Sequence, residues 1–225
     1  MKRIFLISIA TLILIAIGVL TLTGNSGKVF FKKKNTTTQV ELQAGDVLFQ
    51  DLPGPFGEAI KLATGSKYSH CAIVLQDRTG LFVFEAVEPV RRVSIEEWIG
   101  QGTNDHYVVR RLSNAKEVLT QEVIKKMLSV SKEQLGKHYD GLFEWNVERI
   151  YCSELVWMAY SEGAGIELCS PRPLKEYDLS SPEVKAQIEM RYGRTAPMDE
   201  LMVSPEDILV SEILIPVILN AVQLR

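Results

Sequence analysis

The strongest local constraint on this chain is a turn. Residues 68–76, YSHCAIVLQ, and residues 81–87, LFVFEAV, are rich in β-branched and aromatic side chains, and DRTG stands between them. Two such runs around Asp/Gly turn chemistry read as an antiparallel hairpin. Side chains alternate along a strand, so His70 and Cys71 point to opposite faces. Cys71 then packs with Ala72 and the aliphatic residues, while His70 looks out from the other face. A two- or four-residue turn around Arg78 and Thr79 places Glu85 on the face of His70, as a cross-strand or diagonal neighbour. An odd turn length would put Glu88 there instead.

Around the hairpin, strands and helices are mixed. Asp46 to Gln50 reads as a short strand ending at a Pro/Gly turn, and GEAIKLATGS as a short helix stopped by Gly65. SIEEWIG is a short helix with Ser94 as cap and Glu97 three residues on. HYVVRRL is a further strand. NAKEVLTQEVIKKMLSVSKEQLG carries apolar residues at helical spacing, which predicts one amphipathic helix closing at Gly136. YCSELVWMAYSEGAG reads as a helix with Leu155, Val156, Ala159 and Tyr160 on one face, ended by Gly163 and Gly165. SPEDILVSEILIPVIL opens with Ser204 as cap and Pro205 at the first helical position. Antiparallel strands ahead of a long helix indicate the α+β class. The 225 residues suffice for one sizeable domain plus an appendage.

The appendage is N-terminal. Lys2 and Arg3 precede Ile4 to Leu22, which contains no charge. That length suits one membrane-spanning helix, which needs about 20 apolar residues, better than the apolar part of a cleaved signal peptide. No small-x-small cleavage site follows, although a cleaved signal stays open as the alternative. Lys28, Lys32, Lys33 and Lys34 after the span favour a cytoplasmic domain, whereas the signal-like start favours export. We expect an anchor or signal at 1–27, a polar linker at 28–43 and a catalytic domain at 44–225, outside the cytoplasm. The formal net charge of −3 and the scattered Lys and Arg residues argue against a nucleic-acid partner.

Three cysteines, Cys71, Cys152 and Cys169, cannot all pair within one chain, and there is no CxxC spacing. A disulfide framework and a cysteine-rich zinc site are therefore not expected. No cofactor or metal requirement is visible. Cys152 falls at the predicted start of a helix. A thiol there faces unpaired backbone N–H groups and the positive end of the helix dipole, and both favour the nucleophilic thiolate. Cys152 as a buried packing thiol is the competing reading. Among His70, His106 and His138, the last two have charged or polar neighbours and read as surface residues. That leaves His70 as the candidate base and Glu85 as the group that would hold its ring.

Taken in order, GDVLFQ, YSHCAIVL, FEAV, GKHYDGLFEW and IYCSELVWMAY resemble the permuted papain-like amidases of the YiiX/YaeF type. These are circularly permuted relatives of NlpC-type cysteine peptidases and of lecithin retinol acyltransferase. The resemblance runs from Gly45 to Gly165, with an echo at SPEDILVS. It implies a circularly permuted papain-like α+β fold with an antiparallel sheet and the nucleophile at a helix N-terminus. It also implies Cys152 as nucleophile, His70 as base, Glu85 as the polar third member, and Tyr139 as a residue facing the nucleophile and helping the oxyanion. His138 stands where a proline is more usual, and the resemblance offers no motif to match in Cys169 to Gly193.

The implied activity is acyl transfer by a cysteine hydrolase on an amide such as a cell-wall peptide. A thioesterase or acyltransferase acting on lipid acyl groups, held near lipid by the anchor, is the second expectation. A non-catalytic binding module of the same fold is the third. Ser153 and Glu154 are expected to cap the helix and complement its dipole rather than react.

Overall fold

The computed structural model describes residues 42–145, 148–193 and 195–217. The Ile4 to Leu22 run and most of the expected linker lie outside these residues. Among the described residues no helix is long and apolar enough to cross a membrane.

The centre is a six-stranded antiparallel sheet. It is built from β1 (Val47–Gln50), β2 (His70–Asp77), β3 (Gly80–Glu85), β4 (Arg91–Val93), β5 (Tyr107–Leu112) and β10 (Leu214–Pro216), in the order β10-β5-β1-β2-β3-β4. The predicted hairpin is β2–β3. Asp77 is paired with Gly80, so Arg78 and Thr79 form a two-residue turn. The Asp77 carboxylate accepts the Thr79 N–H, which closes it.

The alternation of β1 and β2 sorts their side chains into two cores. Val47, Phe49, Cys71, Ile73 and Leu75 join the core that also contains Leu155, Val156 and Ala159. These last three lie on α5 (Cys152–Ala164), the helix laid over that face. Leu48, Ala72, Val74 and Val83 line the opposite face together with Trp98 of α2 (Ile95–Ile99). β1 and most of β2 therefore bury both faces. Each fully buried Val, Leu, Ile or Phe there contributes about 1.5–3 kcal/mol of transfer free energy.

Two helical expectations need correction. The run predicted as one helix to Gly136 is two: α3 (Ala115–Val118) and α4 (Gln121–Glu133). Leu119 leaves helical geometry, and the Thr120 hydroxyl caps α4 by accepting the Val123 N–H. Gly163 does not end α5 either. The helix continues to Ala164, and Gly165, at φ 69°, forms the left-handed cap. Gly163 instead lets α4 approach, since a Cβ there would stand 2.5 Å from Met127 Cα.

The remaining elements gather around the N-terminus of α5. α1 (Pro55–Thr64) ends at Gly65 in left-handed conformation, as the sequence predicts. The short strands β6 (His138–Tyr139) and β7 (Arg149–Ile150) pair in parallel. The chain then runs through β8 (Arg172–Pro173), α6 (Pro182–Tyr192), β9 (Leu201–Met202) and α7 (Pro205–Leu209) before β10. Ser204 caps α7 by accepting the Asp207 N–H, with Pro205 at the first helical position.

Candidate active site

Cys152 is the first residue of α5. The Tyr151 N–H ahead of it is taken by the Glu154 carboxyl, so Glu154 does cap the helix, and burial pushes that carboxyl up to about 8. Ser153 does not cap: its hydroxyl donates to the Val203 carbonyl and ties α5 to the segment before α7. Cys152 is 3 % exposed, and the side chains of His70 and Cys71 both favour its thiolate.

His70 opens β2, and its Nε2 lies 3.0 Å from Glu85 Oε2. With that nitrogen engaged, Nδ1 is the one left to face Cys152. The hairpin register explains the contact. Ile73 pairs with Phe84, so Glu85 lies opposite Ala72, the next residue along on the face of His70. The other Glu85 oxygen accepts from Arg91 Nε at 2.9 Å and Gln101 Nε2 at 3.2 Å. Trp98 stacks on the imidazole with ring centroids 6.2 Å apart. Glu88, the alternative carboxylate, is elsewhere: it pairs with the exposed His138 and accepts the Tyr139 N–H.

Tyr139 reaches Cys152 through the parallel β6–β7 pairing. That register sets Tyr139 beside Ile150, two residues ahead of Cys152, and the tyrosine hydroxyl feels the charge of the cysteine. The structure thus brings together all four residues singled out in the sequence: Cys152, His70, Glu85 and Tyr139. His106 stays outside, where it is exposed and stacks with Tyr68.

The electrostatics follow from this arrangement. The Cys152 thiol is held well below the ordinary thiol range. Hydrogen bonding from Cys71 favours the thiolate most; burial opposes it, and the bond and charge of His70 add to it. For His70, burial disfavours the cation, but the partners Cys152 and Glu85 outweigh it and raise the group to about 9. Both shifts favour a thiolate–imidazolium pair, with Glu85 beside the imidazole. Burial also pushes the Tyr139 hydroxyl upward, and the neighbouring Cys152 charge adds to this, so it stays a hydrogen-bond donor.

Three residues were not picked out in the sequence. Cys71 was read only as packing. It is indeed buried in the core, yet its thiol faces Cys152 and burial keeps it protonated, which makes it a donor to the thiolate. Arg91 is the cross-strand partner of Glu85 in the β3–β4 register, a relation that reading VRRV as a strand would have exposed. Gln101 arrives from a loop, without a local sequence signal. Among the described residues no group of three or more His, Cys, Asp or Glu side chains is placed to hold a metal ion.

The model of a family described as permuted papain-like amidase enzyme, YaeF/YiiX, matches residues 41–215. The chain is 40% identical over 164 residues to the uncharacterized protein YiiX of Escherichia coli strain K12, covering 73% of this chain and 80% of that one. The crystal structure of yiiX from Escherichia coli O157:H7, described as a metalloprotein, superposes with a TM-score of 0.74 at 38% identity, over 79% of this chain and 97% of the other. The chain belongs to the family of permuted papain-like amidases of the YaeF/YiiX type.

Proposed function

We propose that the protein is a cysteine amidase working by acyl transfer, with Cys152 as nucleophile, His70 as acid and base, Glu85 as the orienting carboxylate and Tyr139 as an oxyanion donor. The observation that carries this reading is His70, whose Nε2 lies 3.0 Å from Glu85 Oε2 and whose ring favours the neighbouring Cys152 thiolate. The Cys152 thiolate attacks the substrate carbonyl carbon. The oxyanion is held by the Cys152 backbone N–H, free in the first turn of α5, and by the Tyr139 hydroxyl. His70 gives its proton to the leaving amine, and the C–N bond breaks. Water, deprotonated by His70, then releases the acyl group and restores the thiolate.

A cell-envelope peptide amide is the first substrate class, with the N-terminal run serving as an anchor that holds the domain outside the cytoplasm. A second reading, cleavage of lipid acyl esters or thioesters, draws support from an apolar cavity whose lining includes Cys152. Intact-mass measurement after mixing with activated amides and esters tests the common step. An acyl adduct on Cys152 that is absent in Cys152→Ala supports it. Wild-type turnover by Cys152→Ala would sink it and leave the binding-module reading.

A further inference from the structure

The acyl-transfer chemistry at Cys152 leaves one sulfur without a reacting part. Cys71 is fully buried, and it follows His70 along β2. By alternation its side chain points to the sheet face that α5 covers. Its partner across β1 is Phe49, which packs into the same core. α5 packs on β2 and begins at Cys152, so the first side chain of the helix and the second of the strand share one buried region.

The groups around the two sulfurs agree with this placement. Both the thiol and the backbone N–H of Cys71 act on Cys152, and Cys152 acts in turn on the Cys71 thiol. Tyr139, brought in by the β6–β7 pair, feels both cysteines. Cys169 belongs to other neighbours. The charges acting on it are those of Asp207 and Arg172, and its carbonyl accepts the Trp157 Nε1–H at 2.9 Å.

A thiolate beside a second, buried thiol has a redox chemistry of its own. Peroxides oxidise the thiolate form of cysteine. Cys152 lines the apolar cavity, and a hydroperoxide is smaller than any amide the site must admit. The Cys152 sulfur attacks one peroxide oxygen and the O–O bond breaks. The hydroxide that leaves takes the His70 proton and becomes water. Cys152 is then a neutral sulfenic acid, oxidised by two electrons. Loss of its negative charge removes one of the contributions that keep Cys71 protonated. The Cys71 sulfur attacks the Cys152 sulfur, the S–O bond breaks, and the departing hydroxide leaves as water with the Cys71 proton.

We propose that Cys71 is a resolving thiol, so that peroxide oxidation of Cys152 ends in a Cys71–Cys152 disulfide. The disulfide switches the enzyme off and shields its nucleophile from the irreversible sulfinic and sulfonic acids. A dithiol, itself oxidised to a cyclic disulfide, switches the enzyme on again. This rests on Cys152 acting as the nucleophile, which acyl-enzyme formation before oxidation tests separately.

The experiment treats the full chain with hydrogen peroxide, traps free thiols with N-ethylmaleimide in denaturant, and reads intact mass and a peptide map. The protein is expected to lose two hydrogens, to give one linked peptide pair carrying Cys71 and Cys152, and to lose acyl-enzyme formation. Dithiothreitol should return acyl-enzyme formation to the untreated level. Cys71→Ser should give no linked pair, and its Cys152 should advance to the sulfinic and sulfonic acids, with a loss that dithiothreitol does not reverse. Cys169→Ser should form the same linked pair as the wild type. That pair is read in the wild-type chain itself, so the proposal stands or falls even where a variant fails to fold. A wild-type Cys152 that reaches the sulfinic acid while Cys71 remains a free thiol would overturn the resolving role and leave the nucleophile standing. A Cys152–Cys169 pair, or a pair between two chains, would overturn it equally. Absence of both oxidation and an acyl adduct at Cys152 would remove the nucleophile and the resolving role with it.

Discussion

His70 and Glu85 are diagonal neighbours on one face of the β2–β3 hairpin, and their side chains meet at 3.0 Å. Glu85 is fully buried, and its second oxygen is held by Arg91 and Gln101. The carboxylate therefore cannot swing away, and the imidazole is fixed with one nitrogen left for Cys152. Burial raises the Glu85 carboxyl, but the bond and charge of His70, together with Gln101 and Arg91, outweigh it and keep the group anionic.

Glu85→Gln keeps the shape and removes the charge. His70 is raised to about 9 partly by that charge, so its value should fall in the variant. The sign follows from the ion pair. Activity is present while His70 is protonated and Cys152 is not, and it is lost as pH rises through the His70 value. The alkaline limb of the kcat/KM profile should thus move to lower pH in Glu85→Gln. Turnover at neutral pH should drop about 10²–10⁴-fold, the usual worth of positioned acid–base catalysis. An unmoved limb would deny Glu85 its electrostatic part.

Tyr139→Phe removes one oxyanion donor and keeps the ring that packs on Phe56. The expected cost is about 10²–10³ in kcat, with activity persisting. Steady-state kinetics against the acyl-enzyme rate checks it; an unchanged kcat would take Tyr139 out of the mechanism.

Cys71 contributes through its thiol proton. Cys71→Ala removes the donor that most favours the Cys152 thiolate, whereas Cys71→Ser keeps a donor of similar size. The acid limb of Cys152 alkylation should move to higher pH in Cys71→Ala and return toward wild type in Cys71→Ser. Identical limbs in all three proteins would reduce Cys71 to a packing residue.

Gly163→Ala places a methyl group 2.5 Å from Met127 Cα and 2.8 Å from its backbone nitrogen, in the contact between α4 and α5. Backbone cannot give way as a side-chain tip can. The substitution should destabilise by about 1–3 kcal/mol despite alanine's better helix propensity, lowering Tm by several degrees. Calorimetry reads it directly, and a raised Tm would mean the helices part without cost.

Much of the fold is written in local patterns. The alternation of SHCAIVLQ and FVFEAV, with the two-residue turn between them, determines which faces His70, Cys71 and Glu85 occupy. The apolar stripe and first-turn position of Cys152 mark α5. Other features depend on partners distant in sequence. Gly163 looks like a helix stop until α4 is beside it. The Leu119 break is visible only once Thr120 is recognised as a cap. The parallel β6–β7 pair is too short to leave a period, so the approach of Tyr139 to Cys152 comes from the resemblance rather than from its own neighbours. α6 carries apolar and polar residues around its circumference, and which of them line the cavity is decided only by α1 opposite.

The most direct test of the central claim is the pH dependence of Cys152 alkylation by iodoacetamide, read by peptide mass spectrometry. Burial holds Cys71 well above the usual thiol range and pushes Cys169 up to about 12, so at pH 6 neither competes as a thiolate. Modification should fall on Cys152 alone, faster than a free thiol peptide at pH 6–7, with a rate that stays level down through pH 6. A Cys152 rate that titrates near the ordinary thiol value of about 8.5, no faster than the peptide, would contradict the thiolate–imidazolium pair.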